Sequence, residues 1–266
     1  MSAVQAREAG KKIDWAGIGW MFLFFWYFSG VTHLMIQLTD SAGFSGFRQS
    51  IVMSLIWLAP LLLFPARTRR PGGELGRILW SASLPAFGYF LVYGQEFSQS
   101  VIFILFESNV AEGSEYLAQY FSWWMPLAYL AYAGGALLLW RRLRPVYLGE
   151  RVRVLVPVAL VLVVLGYPLT KEFVQKGNWE AAVEHMQTRM EPAVPWQLVV
   201  GYQKYQTQLG SMQKLLASNA ALAPLRNLQD LEGNKPSTLV LVIGESTNRQ
   251  RMSLYGYPRP TTPELD

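Results

Sequence analysis

The sequence predicts an α-helical polytopic membrane domain of five transmembrane helices, followed by an outward-facing stretch that begins an α/β domain and does not finish it. Three observations predict this. The 266 residues are 52% hydrophobic, with 10 Trp, 14 Phe and 13 Tyr, above the usual range for a soluble domain. The apolar residues are gathered into long runs, and about 18 of them suffice to cross a bilayer core of roughly 30 Å. The basic residues fall between alternate runs.

The first run is Trp15 to Leu38, which holds no fixed charge and one histidine, His33. It is too long for the apolar region of a cleaved signal and has no small-residue cleavage site after it, so it is expected to stay as an anchor. The second run is Ser50 to Ala66, the third Ile78 to Gly94, the fourth Phe121 to Trp140 and the fifth Val154 to Thr170. Together they predict a membrane domain over residues 1–172.

Lys and Arg near the cytoplasmic ends of membrane helices set topology. Arg7, Lys11 and Lys12 precede the first run. Arg67, Arg69, Arg70 and Arg77 lie between the second and third. Arg141, Arg142, Arg144, Arg151 and Arg153 lie between the fourth and fifth. Residues 95–120 have neither Lys nor Arg, and the loop after the first run has Arg48 alone. The N-terminus is therefore expected in the cytoplasm and everything after about Lys171 outside. This distribution accounts for most of the net charge of +5, so the charge is not read as a nucleic-acid signal. The chain has no cysteine, which excludes disulfides, thiolate metal sites and a cysteine nucleophile.

Residues 95–120 have an apolar stretch, Val101 to Phe106, too short to cross. Phe97, Val101, Ile104, Leu105 and Ser108 recur at helical spacing, predicting one interfacial helix. Glu96, Glu107, Glu112 and Glu115 on it could hold an ammonium headgroup, or could simply form a solvated face on the outward side. Residues 173–236 read as an outward linker. Within it, Val199, Tyr202, Tyr205, Leu209, Met212 and Leu216 step by three and four along an amphipathic helix from about Pro195 to Ala220.

From residue 237 the character changes. Thr238 to Ile243 is a short, apolar, β-rich run followed by Gly244 and Glu245, the pattern of a buried parallel strand. Ligands of open α/β sheets gather at the carboxyl ends of strands, where Glu245 would stand. One carboxylate is a weak metal signal, because zinc needs three or four ligands, and the only histidines are His33 and His185. Gly244 to Asn248 is not a nucleophile elbow, since it lacks the final glycine.

The segment Leu239 to Thr247, followed by Met252-Ser253-Leu254-Tyr255-Gly256-Tyr257-Pro258-Arg259-Pro260-Thr261-Thr262-Pro263, resembles the opening of the catalytic domain of phosphoethanolamine transferases, members of the sulfatase and alkaline phosphatase superfamily. Tyr93 to Ser100, Ser114 to Leu117, Leu143 to Tyr147 and Arg189 to Pro192 resemble the type that modifies the lipopolysaccharide core. The resemblance runs from about Trp15 to Asp266.

That resemblance implies a multi-pass protein of the bacterial inner membrane with a periplasmic, zinc-using, sulfatase-like domain beginning at 237–266. It implies transfer of phosphoethanolamine from phosphatidylethanolamine to a lipopolysaccharide core sugar or lipid A, through a phosphoethanolamine-threonine intermediate. Glu245 matches the family's first zinc ligand. In the family an Asn, a Thr and a Glu at four-residue steps touch the lipid headgroup. Glu112 falls on the Glu position, Ser108 replaces the Thr, and Ile104 replaces the Asn. The family's nucleophilic threonine and its remaining zinc ligands fall beyond the position of Asp266, so these residues are expected not to catalyse transfer alone. The alternative is a non-catalytic headgroup-binding module or a truncated pseudoenzyme. A transporter is the weaker rival, because apart from His33 the five runs lack the ionisable residues that mark transport paths. The small residues Gly17, Gly19, Gly134 and Gly135 permit close helix contacts.

Overall fold

In the computed structural model, residues 13–40, 43–220 and 252–261 are described, and among them the regular structure is helical. Nine helices follow in order. They are α1 (Trp15–Leu38), α2 (Phe44–Leu63), α3 (Arg69–Tyr93), α4 (Gln99–Glu107), α5 (Val110–Tyr120), α6 (Trp124–Arg142), α7 (Glu150–Lys176), α8 (Trp179–Met190) and α9 (Trp196–Ala220).

α1 starts where Asp14 accepts a hydrogen bond from the Gly17 N–H at 3.0 Å, satisfying one of the helix's free donors. α2 tightens into a 3₁₀ turn at Leu55–Trp57, just before Pro60, whose missing N–H removes a rung of the ladder. α3 begins at Arg69, nine residues before the third apolar run. Arg69, Arg70 and Arg77 therefore stand on its first turns and not in a loop, and Pro71 is tolerated so close to a helix start. Gly94 ends α3 in the left-handed region (φ 65), with its N–H bonded to the Phe90 carbonyl at 2.8 Å. α7 contains Pro157 and a wider π turn at Leu162–Gly166.

Four helices, α1, α2, α3 and α7, are long and apolar enough to cross a membrane. The fourth expected span lies in α6. Its 19 residues carry Gly134 and Gly135 in the middle and Arg141 and Arg142 at the end, which lowers its apolar content below that of the other four. Among the described residues the count of helices meeting that measure is therefore four, not five. α6 nevertheless packs against α1 and α3.

The core is an aromatic column. Phe24, Phe25 and Phe28 of α1, Leu61 and Leu62 of α2, Leu79 and Phe87 of α3 and Tyr132 of α6 are all buried together. Phe87 stacks on Tyr132 at 4.4 Å and Tyr27 stacks on its other side at 5.0 Å. The Tyr27, Ser83 and Tyr132 hydroxyls inside this column are paired. Tyr132 and Ser83 share a hydrogen bond of 2.8 Å, and the Tyr27 hydroxyl donates to the Tyr132 carbonyl at 2.9 Å. Such bonds lock helices together where water cannot compete.

One end of the bundle gathers the basic residues. Arg144 pairs with Asp14 at 2.6 Å, Arg69 donates to the Leu143 carbonyl at 3.2 Å, and Arg142 lies 5.3 Å over the Trp20 ring. The predicted linker is not free of the bundle. α8, which has little apolar periodicity, packs on α7, and Met186 joins Met53, Val164 and Ala193 in a second buried cluster.

Residues 217–266 form a separate unit. Beyond the end of α9, its described piece is a turn at Ser253–Tyr255 closed by Gly256 (φ 91), with the Ser253 N–H donating to the Thr261 hydroxyl at 3.0 Å. The predicted strand Thr238 to Ile243 and Glu245 lie outside the described residues.

Candidate functional site

The end of the bundle opposite the arginines carries α4, α5 and the segment that enters α9. Ser29 of α1 accepts a hydrogen bond from the Val194 N–H at 3.0 Å. His33, one turn further along, places Nε2 2.7 Å from the Pro192 carbonyl. A carbonyl can only accept, so Nε2 carries the hydrogen. The other ring nitrogen lies 3.9 Å from Glu96. The Gln197 amide donates to the Phe97 carbonyl at 2.9 Å, and Trp196 stacks on Trp57 at 6.0 Å. Gly201 lets α9 lie directly on Ile102, which a Cβ would strike. Lys204 pairs with Glu191. Together these contacts pin residues 191–205 onto the bundle.

The expected single helix over 95–120 is two helices. The chain turns extended at Ser108 and Asn109 (ψ 148 and 174), because Asn109 caps a new helix. Its side chain accepts from the N–H groups of Ala111 and Glu112, both at 3.0 Å, and its amide donates to Glu112 at 2.8 Å. The sequence Asn-Val-Ala-Glu is a capping-box arrangement, a signal that the four-residue stepping had hidden.

Both headgroup candidates lie at this break. Ser108 is exposed and its hydroxyl donates to the Ile104 carbonyl at 2.7 Å. Glu112 is exposed and holds Asn109, and Ile104 is 64% exposed. The structure thus brings Ser108 and Glu112 to one corner, each with a local partner. The third candidate, Glu245, lies outside the described residues. Among the described residues no three His, Cys, Asp or Glu side chains are grouped to hold a metal.

Around the corner the surface is aromatic and acidic. Tyr116 and Tyr120 of α5 lie 4.9 Å apart and both contact Tyr93 at the end of α3. Phe106 stacks on Tyr205 of α9 at 5.4 Å. The Tyr205 hydroxyl donates to Glu107 at 2.6 Å, and this bond to a carboxylate holds the phenol above its ordinary pKa. Since the pKa is raised on folding, the stabilisation from this bond is complete below the ordinary tyrosine value and is lost as pH climbs through the raised one. Phenolate absorbance of the protein minus that of Tyr205→Phe is expected to titrate above a free tyrosine. Replacing Glu107 with Gln should bring it back down, and an unshifted curve would mean the bond is absent in solution.

With Glu107 and Glu112, the tyrosine rings and neither Lys nor Arg in residues 95–120, the corner suits a small cation better than an anion. The chain that carries it has, among its described residues, four helices long and apolar enough to cross a membrane, and its sequence is similar to phosphoethanolamine transferases. Over 260 residues, 97% of the chain, it is 51% identical to phosphoethanolamine transferase CptA of Salmonella typhimurium strain LT2. Over the same length it is 48% identical to phosphoethanolamine transferase EptC of Escherichia coli strain K12. The resemblance read from Trp15 to Asp266 is thus borne out as CptA/EptC-like. The chain spans 45% of the length of each of those relatives. No family model and no solved structure matches it.

Proposed function

We propose that this chain is the membrane part of a phosphoethanolamine transferase, with phosphatidylethanolamine as donor and a lipopolysaccharide core sugar or lipid A as acceptor. The observation that supports this is the 51% identity to CptA across 97% of the chain. In this reading the bundle sits in the bacterial inner membrane with α6 as a fifth span. Its arginine-rich end faces the cytoplasm, and α4, α5 and everything after α7 face the periplasm. The gathering of Arg69, Arg142 and Arg144 at one end and of Glu96, Glu107 and Glu112 at the other agrees with that orientation.

The corner of Ser108 and Glu112 would hold the donor's ammonium, with Glu112 supplying charge and Ser108 a hydroxyl. The chemistry of transfer would rest on a threonine nucleophile and a zinc ion, of which Glu245 would be one ligand. A single carboxylate does not make a zinc site, and the described residues group no three His, Cys, Asp or Glu side chains that would complete one.

The test is made in a strain lacking its own phosphoethanolamine transferases, complemented with the natural gene. Mass spectrometry of its lipopolysaccharide is expected to show added phosphoethanolamine. An antibody to residues 178–235 should detect a band roughly twice the 30.1 kDa of this chain. Glu112→Ala is expected to lower transfer at least tenfold and Ser108→Ala several-fold, with protein levels unchanged because both side chains are exposed. A 30 kDa band with no modified lipopolysaccharide would overturn the transferase reading. Binding of phosphatidylethanolamine by that short form would favour a headgroup-binding module instead.

A further inference from the structure

A cleft of about 630 Å³ lies at the other end of the bundle, away from Ser108 and Glu112. Its walls are apolar, formed by Phe24 and Phe28 of α1 and Ala136 and Leu137 of α6. Its rim on α3 is basic. Arg70, Gly73, Arg77 and Trp80 all line it and follow one another at three- and four-residue steps, so they occupy one face of the helix. That face runs about 15 Å from Arg70 to Trp80.

The charges at the rim do not cancel. Arg69, Arg70 and Arg77 face the single acid Glu74. The pair of Arg77 with Glu74 is exposed on both sides, and such pairs bind weakly enough to give way to a stronger anion. Arg69 spends one N–H on the Leu143 carbonyl and keeps the rest of its guanidinium. Further in, the Trp80 indole N–H is buried with no hydrogen-bond partner among the described residues, although buried donors are nearly always paired. An oxygen-bearing group entering beside Trp80 would satisfy it.

From the apolar walls, the surplus of positive charge at the mouth and the orphan donor between them, we infer that this cleft binds one anionic phospholipid. An acyl chain lies between α1 and α6, the phosphodiester meets Arg70 and Arg77, and an ester oxygen accepts from Trp80. Basic pockets between membrane helices recognise anionic headgroups in this way. The site is separate from the proposed donor corner, and it rests on the bundle being membrane-embedded, not on transfer.

The protein purified in detergent is tested by native mass spectrometry and thermal stability with phosphatidylglycerol, phosphatidylethanolamine or phosphatidylcholine added. Phosphatidylglycerol is expected to stay bound at one per chain and to raise the melting temperature, and the zwitterionic lipids are not. Arg70→Gln together with Arg77→Gln should weaken phosphatidylglycerol retention about tenfold, the order expected for removing two basic contacts to an anionic lipid. Both side chains are exposed, so the pair leaves the fold intact. Equal retention of phosphatidylethanolamine, or undiminished phosphatidylglycerol in the double variant, overturns the inference. Glycerol phosphate alone should not stabilise the protein; if it does, the arginines form an anion site and the lipid assignment falls.

Discussion

Replacing Gly76 with leucine is expected to destabilise the bundle by about 1–3 kcal/mol, the usual range for overfilling a packed core. A Cβ at Gly76 would strike the Phe24 ring at Cζ and sit 3.0 Å from its Cε1. Phe24 is 2% exposed and held edge-on between Phe25 at 5.2 Å and Phe28 at 5.3 Å, so it can yield only into the cleft that it lines with Gly76. The strain is relieved by breaking those ring contacts or by parting α1 from α3. Thermal unfolding in detergent should show a fall of roughly 5 °C or more, scaling the free energy by typical unfolding entropies. Gly134→Ala is the matched control. Nothing lies within 4 Å of a Cβ there, so better helix propensity should leave stability equal or slightly higher. Equal melting temperatures for both variants would show that α1 and α3 are not packed as described.

The second large effect concerns the segment pinned across the acidic end. Ser29→Ala leaves the buried Val194 N–H without its acceptor, and His33→Ala leaves the Pro192 carbonyl without its donor. Each loss costs about 1–3 kcal/mol when the orphaned group is kept from water. The cost falls on local opening of residues 191–205, not on the whole bundle, because the aromatic column around Tyr132 is untouched. Trypsin cleavage at Arg189 and Lys204 should then speed up about tenfold to a hundredfold in the double variant, as the open population grows. Cleavage at the wild-type rate would mean the two hydrogen bonds do not hold the segment down.

How much of this was legible in the sequence differs by element. α1 and α9 were readable almost to the residue, one because it is an uninterrupted apolar run and the other because its apolar residues step by three and four. α8 was not, since Glu180, Glu184 and Arg189 dilute its periodicity and it fully buries only Ala182 and Met186. α3 began early because three arginines can ride on a helix whose other face is apolar, which a hydropathy run cannot register. Among the glycines singled out, Gly17 and Gly135 do sit at close contacts, against Val146 and Tyr27, while Gly19 and Gly134 face open space. Sequence supplies the small residue but not the direction in which it points.

The site was half legible. Ser108 and Glu112 were found by resemblance, and the structure adds that Glu112 is also the third residue of a capped helix. Its carboxylate already has work in fixing Asn109, so a headgroup would have to share it. His33 is held by a carbonyl 159 residues away. No local pattern could have named that partner.

The wider turn at Leu162–Gly166 divides α7 into two halves of different allegiance. The first half leans on α2, and the second, Tyr167–Lys176, carries α8. A π turn holds one residue more than an α turn, and each residue advances a helix by about 100°. One inserted residue therefore sets the phase between the two halves. It is the angular gearing that aims α8 and Met186 at Met53. The lower half could repack without moving them, but shortening that turn by a residue would swing the whole upper assembly a quarter turn or more out of mesh.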